Sequence, residues 1–197
     1  MCIRDSYAAS DADGTATQTY SILTATQNAA SVDHDLFSVA SGGVLTFATA
    51  PNYESAGCGS GDDSNTCVVV IQVTDGANTD TITVTVNVQD VNEFSPVFGD
   101  GDTATATPNE NQQAVGTYAA TDADGSATQT YSILTAEQNA ASVDHDLFSV
   151  AGGGVLTFQA SPNYEDAGCG AGNNANTCAV VIQVTDGANT DTITVTV

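Results

Sequence analysis

An all-β chain of two tandem β-sandwiches is predicted by three features of the sequence. These are an internal repeat covering most of the chain, strict alternation of apolar and polar residues, and short β-rich runs punctuated by turn residues. Residues 7–86 realign without gaps on residues 118–197 at an offset of 111, and 67 of the 80 positions are identical. "YAASDADGTATQTYSIL" from Tyr7 returns as "YAATDADGSATQTYSIL" from Tyr118, and "VIQVTDGANTDTITVTV" returns entire. A module of about 100 residues is an ordinary domain size. The expected boundaries are residues 1–93 for the first copy and 94–197 for the second. Copies this alike suggest an excerpt from a longer array.

The elements follow in order along the second copy. Thr103–Thr107 reads as an edge strand, followed by short strands near Val115–Thr121, Gln129–Leu134, Leu147–Val150 and Val155–Phe158. The segment "TAEQNAASVDHD" has room for one helical turn and nothing longer. Cys178–Asp186 is a β-rich run, "GANT" is a turn, and Asp191–Val197 alternates so that Ile193, Val195 and Val197 share one face. That pair forms a hairpin. About seven short strands separated by turns indicate a Greek-key sandwich of immunoglobulin-like type. The first six residues, "MCIRDS", have no counterpart in the repeat and read as a truncation scar or non-native leader. No basic start followed by an apolar stretch marks a secretory signal, and no run approaches the roughly 20 apolar residues of a membrane span.

Composition narrows the function. The chain carries 24 acidic side chains against one Arg and no Lys, a net charge of -23. Nucleic acids, anionic membrane surfaces and phosphorylated substrates are poor partners for such a surface, and cations are good ones. Disorder is excluded by the 41% hydrophobic content and its strand patterning.

Each copy holds one C-x8-C pair, Cys58/Cys67 and Cys169/Cys178. A zinc knuckle wants two to four residues between ligands and a second pair nearby, whereas a local disulfide would pin the Gly/Asn-rich loop between the two cysteines. The disulfide reading places the chain in an oxidising, extracytoplasmic setting and leaves Cys2 over.

The acids cluster. "DADG" holds Asp122 and Asp124, "VTDG" holds Asp186, "NYE" holds Glu54 and Glu165, and "PNENQ" holds Glu110. Between the copies, "QDVNEFSPVF" crowds Asp90, Asn92 and Glu93 into four residues, where like charges repel unless something neutralises them. In this order and at this period the set resembles the cadherin repeat, and most closely bacterial cadherin-like tandem repeats. The resemblance covers essentially the whole chain. It departs at Glu93, where the family usually has Asp, at Phe94, where it usually has Asn, and at Asn52, where it has Asp.

The resemblance implies a cadherin-type sandwich and Ca²⁺ bound where successive repeats meet. Position by position, Glu54 matches the family's "DRE" Glu, and Asp90, Asn92 and Glu93 match its linker. Asp122, Asp124 and Asp186 match acids of the following repeat, with Asp124 shared by two ions, and carbonyls of Val91 and Phe94 complete the shell. Asp11, Asp13 and Asp75 would serve a junction with a preceding repeat, and Glu110 and Glu165 one with a following repeat. Ca²⁺ takes six to eight oxygens without strict geometry, which suits such a set.

Other motifs carry less. "DADGTATQTYSI" starts like an EF-hand loop but has Thr15 at its fifth position and Ile22 where the bidentate Glu belongs. The "DHD" triplets around His34 and His145 have adjacent side chains that cannot all face one ion, and read as solvated loops. No nucleophile motif occurs, and paired carboxylates suited to glycoside hydrolysis lie at module ends rather than in a cleft. The expectation is a non-enzymatic, calcium-binding repeat pair of a cell-surface or secreted protein, acting in cell adhesion. Its partners are calcium and either another copy of itself, a cell-surface protein or a glycan, with membrane attachment only through an anchor elsewhere. The alternative is a calcium-stiffened spacer in a large secreted bacterial protein that carries an unrelated adhesive or catalytic domain.

Overall fold

The structure, a computed structural model, describes residues 5–12, 14, 17–55, 57–59, 65–125, 128–166, 168–169 and 176–197. Cys2, Asp13 and most of both Gly/Asn-rich loops lie outside them. The chain divides into two compact units, Met1–Val91 and Asn92–Val197.

Unit 1 contains β1 (Asp5–Ser6), β2 (Thr19–Ile22), β3 (Phe37–Ala40), β4 (Val44–Phe47), β5 (Thr66–Thr74) and β6 (Thr79–Asn87). They form two antiparallel sheets in the orders β1-β4-β3 and β2-β5-β6. Phe37, Leu45, Val69, Ile71, Val84 and Val86 are buried with Cys58 and Cys67 as its core. The last two residues of the six-residue leader join the first of these sheets. Asp5 pairs with Leu45 and Ser6 with Val44, the places that Gly116 and Thr117 take against Leu156 and Val155 in the second copy. A ladder joins backbone groups, so unrelated side chains do not prevent it.

Unit 2 contains β7 (Val97–Phe98), β8 (Thr103–Thr105), β9 (Ala114–Thr117), β10 (Ala120–Thr121), β11 (Thr130–Leu134), β12 (Phe148–Ala151), β13 (Val155–Phe158), β14 (Ala179–Thr185) and β15 (Thr190–Thr196). Counting β7 with β8 and β9 with β10 as two interrupted strands gives the seven of the sandwich. One sheet runs β11-β14-β15-β8, the other β12-β13-β9, and β10 pairs with β7. The expected strand Val115–Thr121 breaks at Tyr118, whose N–H donates to Gly154 O (2.9 Å) and whose side chain turns into the core. Gly154, at φ +75°, faces the Tyr118 carbonyl so closely that no Cβ fits there.

The hairpin pairs Thr185 with Thr190 through to Ala179 with Thr196, and Ile193 and Val195 are fully buried, as their alternation predicts. Three 3₁₀ turns, His34–Leu36, His145–Leu147 and Gly152–Gly154, are the helical elements of the described residues. No helix is long and apolar enough to cross a membrane.

Disulfides join Cys58 to Cys67 and Cys169 to Cys178, with Cα–Cα distances of 4.7 Å. Each ties the preceding loop to the start of a strand, Cys67 being the second residue of β5 and Cys178 the residue just before β14. The "DHD" triplet braces the same place, and its reading as a solvated loop is corrected. Asp33 is 4% exposed and accepts the N–H groups of Gly59 and Val68, both at 2.6 Å. Asp144, 6% exposed, accepts from Ala179 N–H at 2.8 Å. A carboxylate fits there because backbone donors satisfy it.

Candidate metal centre

Unit 2 gathers three carboxylates at one end of its sandwich. Asp122 and Asp124 lie just after β10, and Asp186 opens the tight turn between β14 and β15. One oxygen from each lies within 4.8 Å of the others. Asp122 Oδ1 accepts the Asp124 N–H (3.0 Å), a local turn that sets the two acids side by side. Asp124 is 5% exposed, and its Oδ2 accepts the Phe94 N–H at 2.9 Å. Turned with its NH₂ toward the acids, the Asn92 amide donates to Asp124 Oδ2 and Asp186 Oδ2, both at 3.0 Å.

Each acid after β10 therefore spends one oxygen on the protein and keeps the other. Asp122 Oδ2 and Asp124 Oδ1 are buried, and neither has a hydrogen-bond partner among the described residues. A desolvated carboxylate oxygen left this way costs on the order of 1–3 kcal/mol or more. The only Lys or Arg of the sequence is Arg4, which lies outside the described residues, so no Lys or Arg among the described residues faces them. Hard oxygen donors that converge and lack protein donors match what Ca²⁺ selects.

Asp186 is held differently. Its Oδ1 accepts the N–H groups of Asn189 (2.6 Å) and Ala188 (2.7 Å). The Asn189 backbone bond does most to hold its carboxyl below the usual range. Partial burial opposes that, and Ala188 N–H and the amides of Asn189 and Asn92 assist it. In unit 1, Asp75 sits in the same turn and is lowered chiefly by the Asn78 N–H, then by Ala77.

The linker residues on unit 2 are placed by the same groups. Asn92 and Phe94 bond to the acids as described, and Glu93 is exposed. Pro96 is fully buried, and Phe98 N–H donates to Asp191 Oδ2 at 2.9 Å. The Phe98 ring meets Tyr131 edge-on at 6.2 Å. In unit 1, Asp90 and Val91 follow β6, and Val91 is 64% exposed. Glu54 closes an Asx turn through its N–H to Asn52 Oδ1 (3.0 Å), and a carboxylate oxygen of Glu54 lies within 4.8 Å of one of Asp90.

Two residues that the sequence reading passed over belong to this region. Asn189 Nδ2 donates to the Phe94 carbonyl at 2.7 Å, and Asp191 anchors Phe98. The available signal was "TDGANTD", identical in both copies, where only Asp186 and a turn were read. At the opposite end of unit 2, Glu110 Oε2 accepts the Tyr164 N–H (3.0 Å) and the Glu165 N–H meets Asn163 Oδ1 (3.2 Å). The histidines do not join any centre. His145 Nδ1 bonds Ser142 O at 3.0 Å and its Nε2 lies 3.2 Å from the exposed Asp146, while Asp144 turns to the backbone.

No family model and no curated protein matches the sequence. Solved structures do match the fold. Human protocadherin-24 EC1-2 aligns at TM-score 0.65 and 18% identity over 98% of this chain and 87% of that one. Mouse cadherin-23 EC22-24 aligns at 0.60 and 17% over 91% of this chain, which spans about half (51%) of that structure. Drosophila N-cadherin EC1-4 aligns at 0.65 and 16% over 92% and 41%. At these identities the likeness is one of fold, and the fold of this chain is that of cadherin extracellular repeats.

Proposed function

We propose that the chain is a calcium-binding pair of extracellular cadherin-like repeats from a tandem array, with Ca²⁺ stiffening the junction between the repeats, in a cell-surface or secreted protein that mediates adhesion. The observation that carries the reading is Asp124, nearly buried with Oδ1 unpartnered and two further carboxylates within reach. The proposed ligands are the carboxylates of Glu54, Asp90, Glu93, Asp122, Asp124 and Asp186, the Asn92 side chain and the carbonyls of Val91 and Phe94. When bound, the ion supplies charge neutralisation and a multidentate cross-link, and no chemical step. Extracellular calcium modules bind at about 10⁻⁴–10⁻³ M, so millimolar calcium outside a cell would hold the sites filled.

The fold neighbours are cadherins and protocadherins by name, which supports adhesion and a non-enzymatic role. The two disulfides support an oxidising location. The partner of such a module would be another copy, a cell-surface protein or a glycan. The spacer reading is favoured by one feature, the near-identity of the copies, since repetition supplies length rather than a particular face. Beads coated with the chain separate the two. Aggregation in a few millimolar CaCl₂ that chelator reverses supports adhesion. Calcium uptake by titration calorimetry without aggregation supports the spacer, and no uptake overturns both.

A further inference from the structure

Asn189 closes the turn between β14 and β15, and its backbone does what Asn78 does in unit 1. Each donates its N–H to the turn's Asp, at 2.6 and 2.7 Å, and each accepts the preceding Thr hydroxyl at 2.9 Å. The side chains differ. Asn78 Nδ2 stays within its turn, 3.3 Å from Asp75 Oδ2. Asn189 Nδ2 also lies 3.3 Å from its Asp, but reaches 95 residues back along the chain to the Phe94 carbonyl at 2.7 Å. A primary amide has two N–H donors, one for each of these acceptors.

Phe94 is thereby held through both of its backbone polar groups. Its N–H goes to Asp124 Oδ2 and its C=O receives Asn189, while the Asn92 amide spans Asp124 and Asp186. Every one of these bonds runs from a neutral amide, and none requires a cation. The second lone pair of the Phe94 carbonyl and the buried oxygens of Asp122 and Asp124 stay available.

We infer that Asn189 is a positioning residue that docks the linker Asn92–Phe98 on unit 2 in the absence of metal. It thus presents the Phe94 carbonyl and the Asp186 carboxylate already oriented. A cation arriving there does not have to order the linker, and preorganisation of that kind strengthens binding. The docking stands on hydrogen bonds alone; only its effect on metal affinity rests on the calcium reading above.

The test is amide hydrogen exchange at Phe94 in chelator, with calcium titration calorimetry on the same proteins. In the wild-type chain the Phe94 amide should be protected without metal. Asn189→Ala should accelerate its exchange about tenfold and weaken calcium binding about three- to tenfold, as loss of one hydrogen bond implies. Exchange in the β14 core, at Ile182, should not change. Asn189→Asp keeps the size and the backbone turn but replaces a donor with a charged acceptor, so it too should release Phe94 in chelator. Asn78→Ala, which removes the same turn side chain from unit 1, should alter neither readout. Unchanged Phe94 exchange in both Asn189 variants would overturn the proposal, as would an equal effect of Asn78→Ala. If Phe94 responds to Asn189→Ala but no variant takes up calcium, the docking stands and the calcium reading falls.

Discussion

Ile193 and Ile82 occupy the same place in the two copies, yet Ile193 is fully buried and Ile82 is 46% exposed. The cause is local. In unit 2, β8 pairs in parallel with the edge of β15, and Phe98 packs in the same core as Ile193. In unit 1 no strand among the described residues pairs with the outer edge of β6. An identical residue in an identical strand thus contributes to stability according to what covers it.

Ile193→Ala should therefore destabilise unit 2 by about 2–5 kcal/mol, the usual cost of emptying a filled aliphatic site. Ile82→Ala should cost unit 1 less than about 1 kcal/mol. Urea unfolding of the two variants checks this, and equal losses would mean that Ile82 is covered in solution.

The buried acids of the "DHD" triplets separate structural carboxylates from the proposed ligand carboxylates. Asp144→Ala strips the acceptor from Ala179 N–H and should cost about 1–3 kcal/mol of stability. Asp146→Ala, at an exposed side chain, should change stability by no more than about 0.5 kcal/mol. Neither should shift calcium affinity, whereas Asp124→Ala should weaken it. Thermal melts in chelator and calorimetric titrations, run on all three variants, read the two effects apart.

Protein secreted through an oxidising compartment should show one reactive thiol after denaturation without reductant, because four of the five cysteines are bridged. Reduction should cost about 2.7 kcal/mol per bridge, the chain-entropy value for a loop of roughly ten residues. Five reactive thiols before reduction would contradict the bridges.

What was legible in the sequence was what neighbours along the chain decide. The alternation of "DTITVTV" placed Ile193 and Val195 inward, and the C-x8-C spacing placed the bridges. What was not legible depended on distant partners. Asp144 reads as a loop acid until Ala179, 35 residues on, brings it a donor. Asn189 reads as a turn residue until Phe94 comes within 2.7 Å. The pairing of Asp5 and Ser6 was hidden because a ladder leaves no trace in side-chain type. That Asp122, Asp124 and Asp186 come together was legible through the resemblance of their motifs to the cadherin repeat, and the amides that hold them in place were not.

Small-angle scattering combined with a thermal melt tests the central claim most directly, with the chain first in chelator and then in a few millimolar CaCl₂. A ligand that binds only the folded state at tenfold excess over Kd adds about 1.4 kcal/mol, which for a unit of this size raises Tm by about 5 °C or more. The account expects that rise, together with a change from a variable, bent pair in chelator to one extended rod in calcium, and expects Asp124→Ala to diminish both. Superimposable scattering profiles and an unmoved Tm would contradict it.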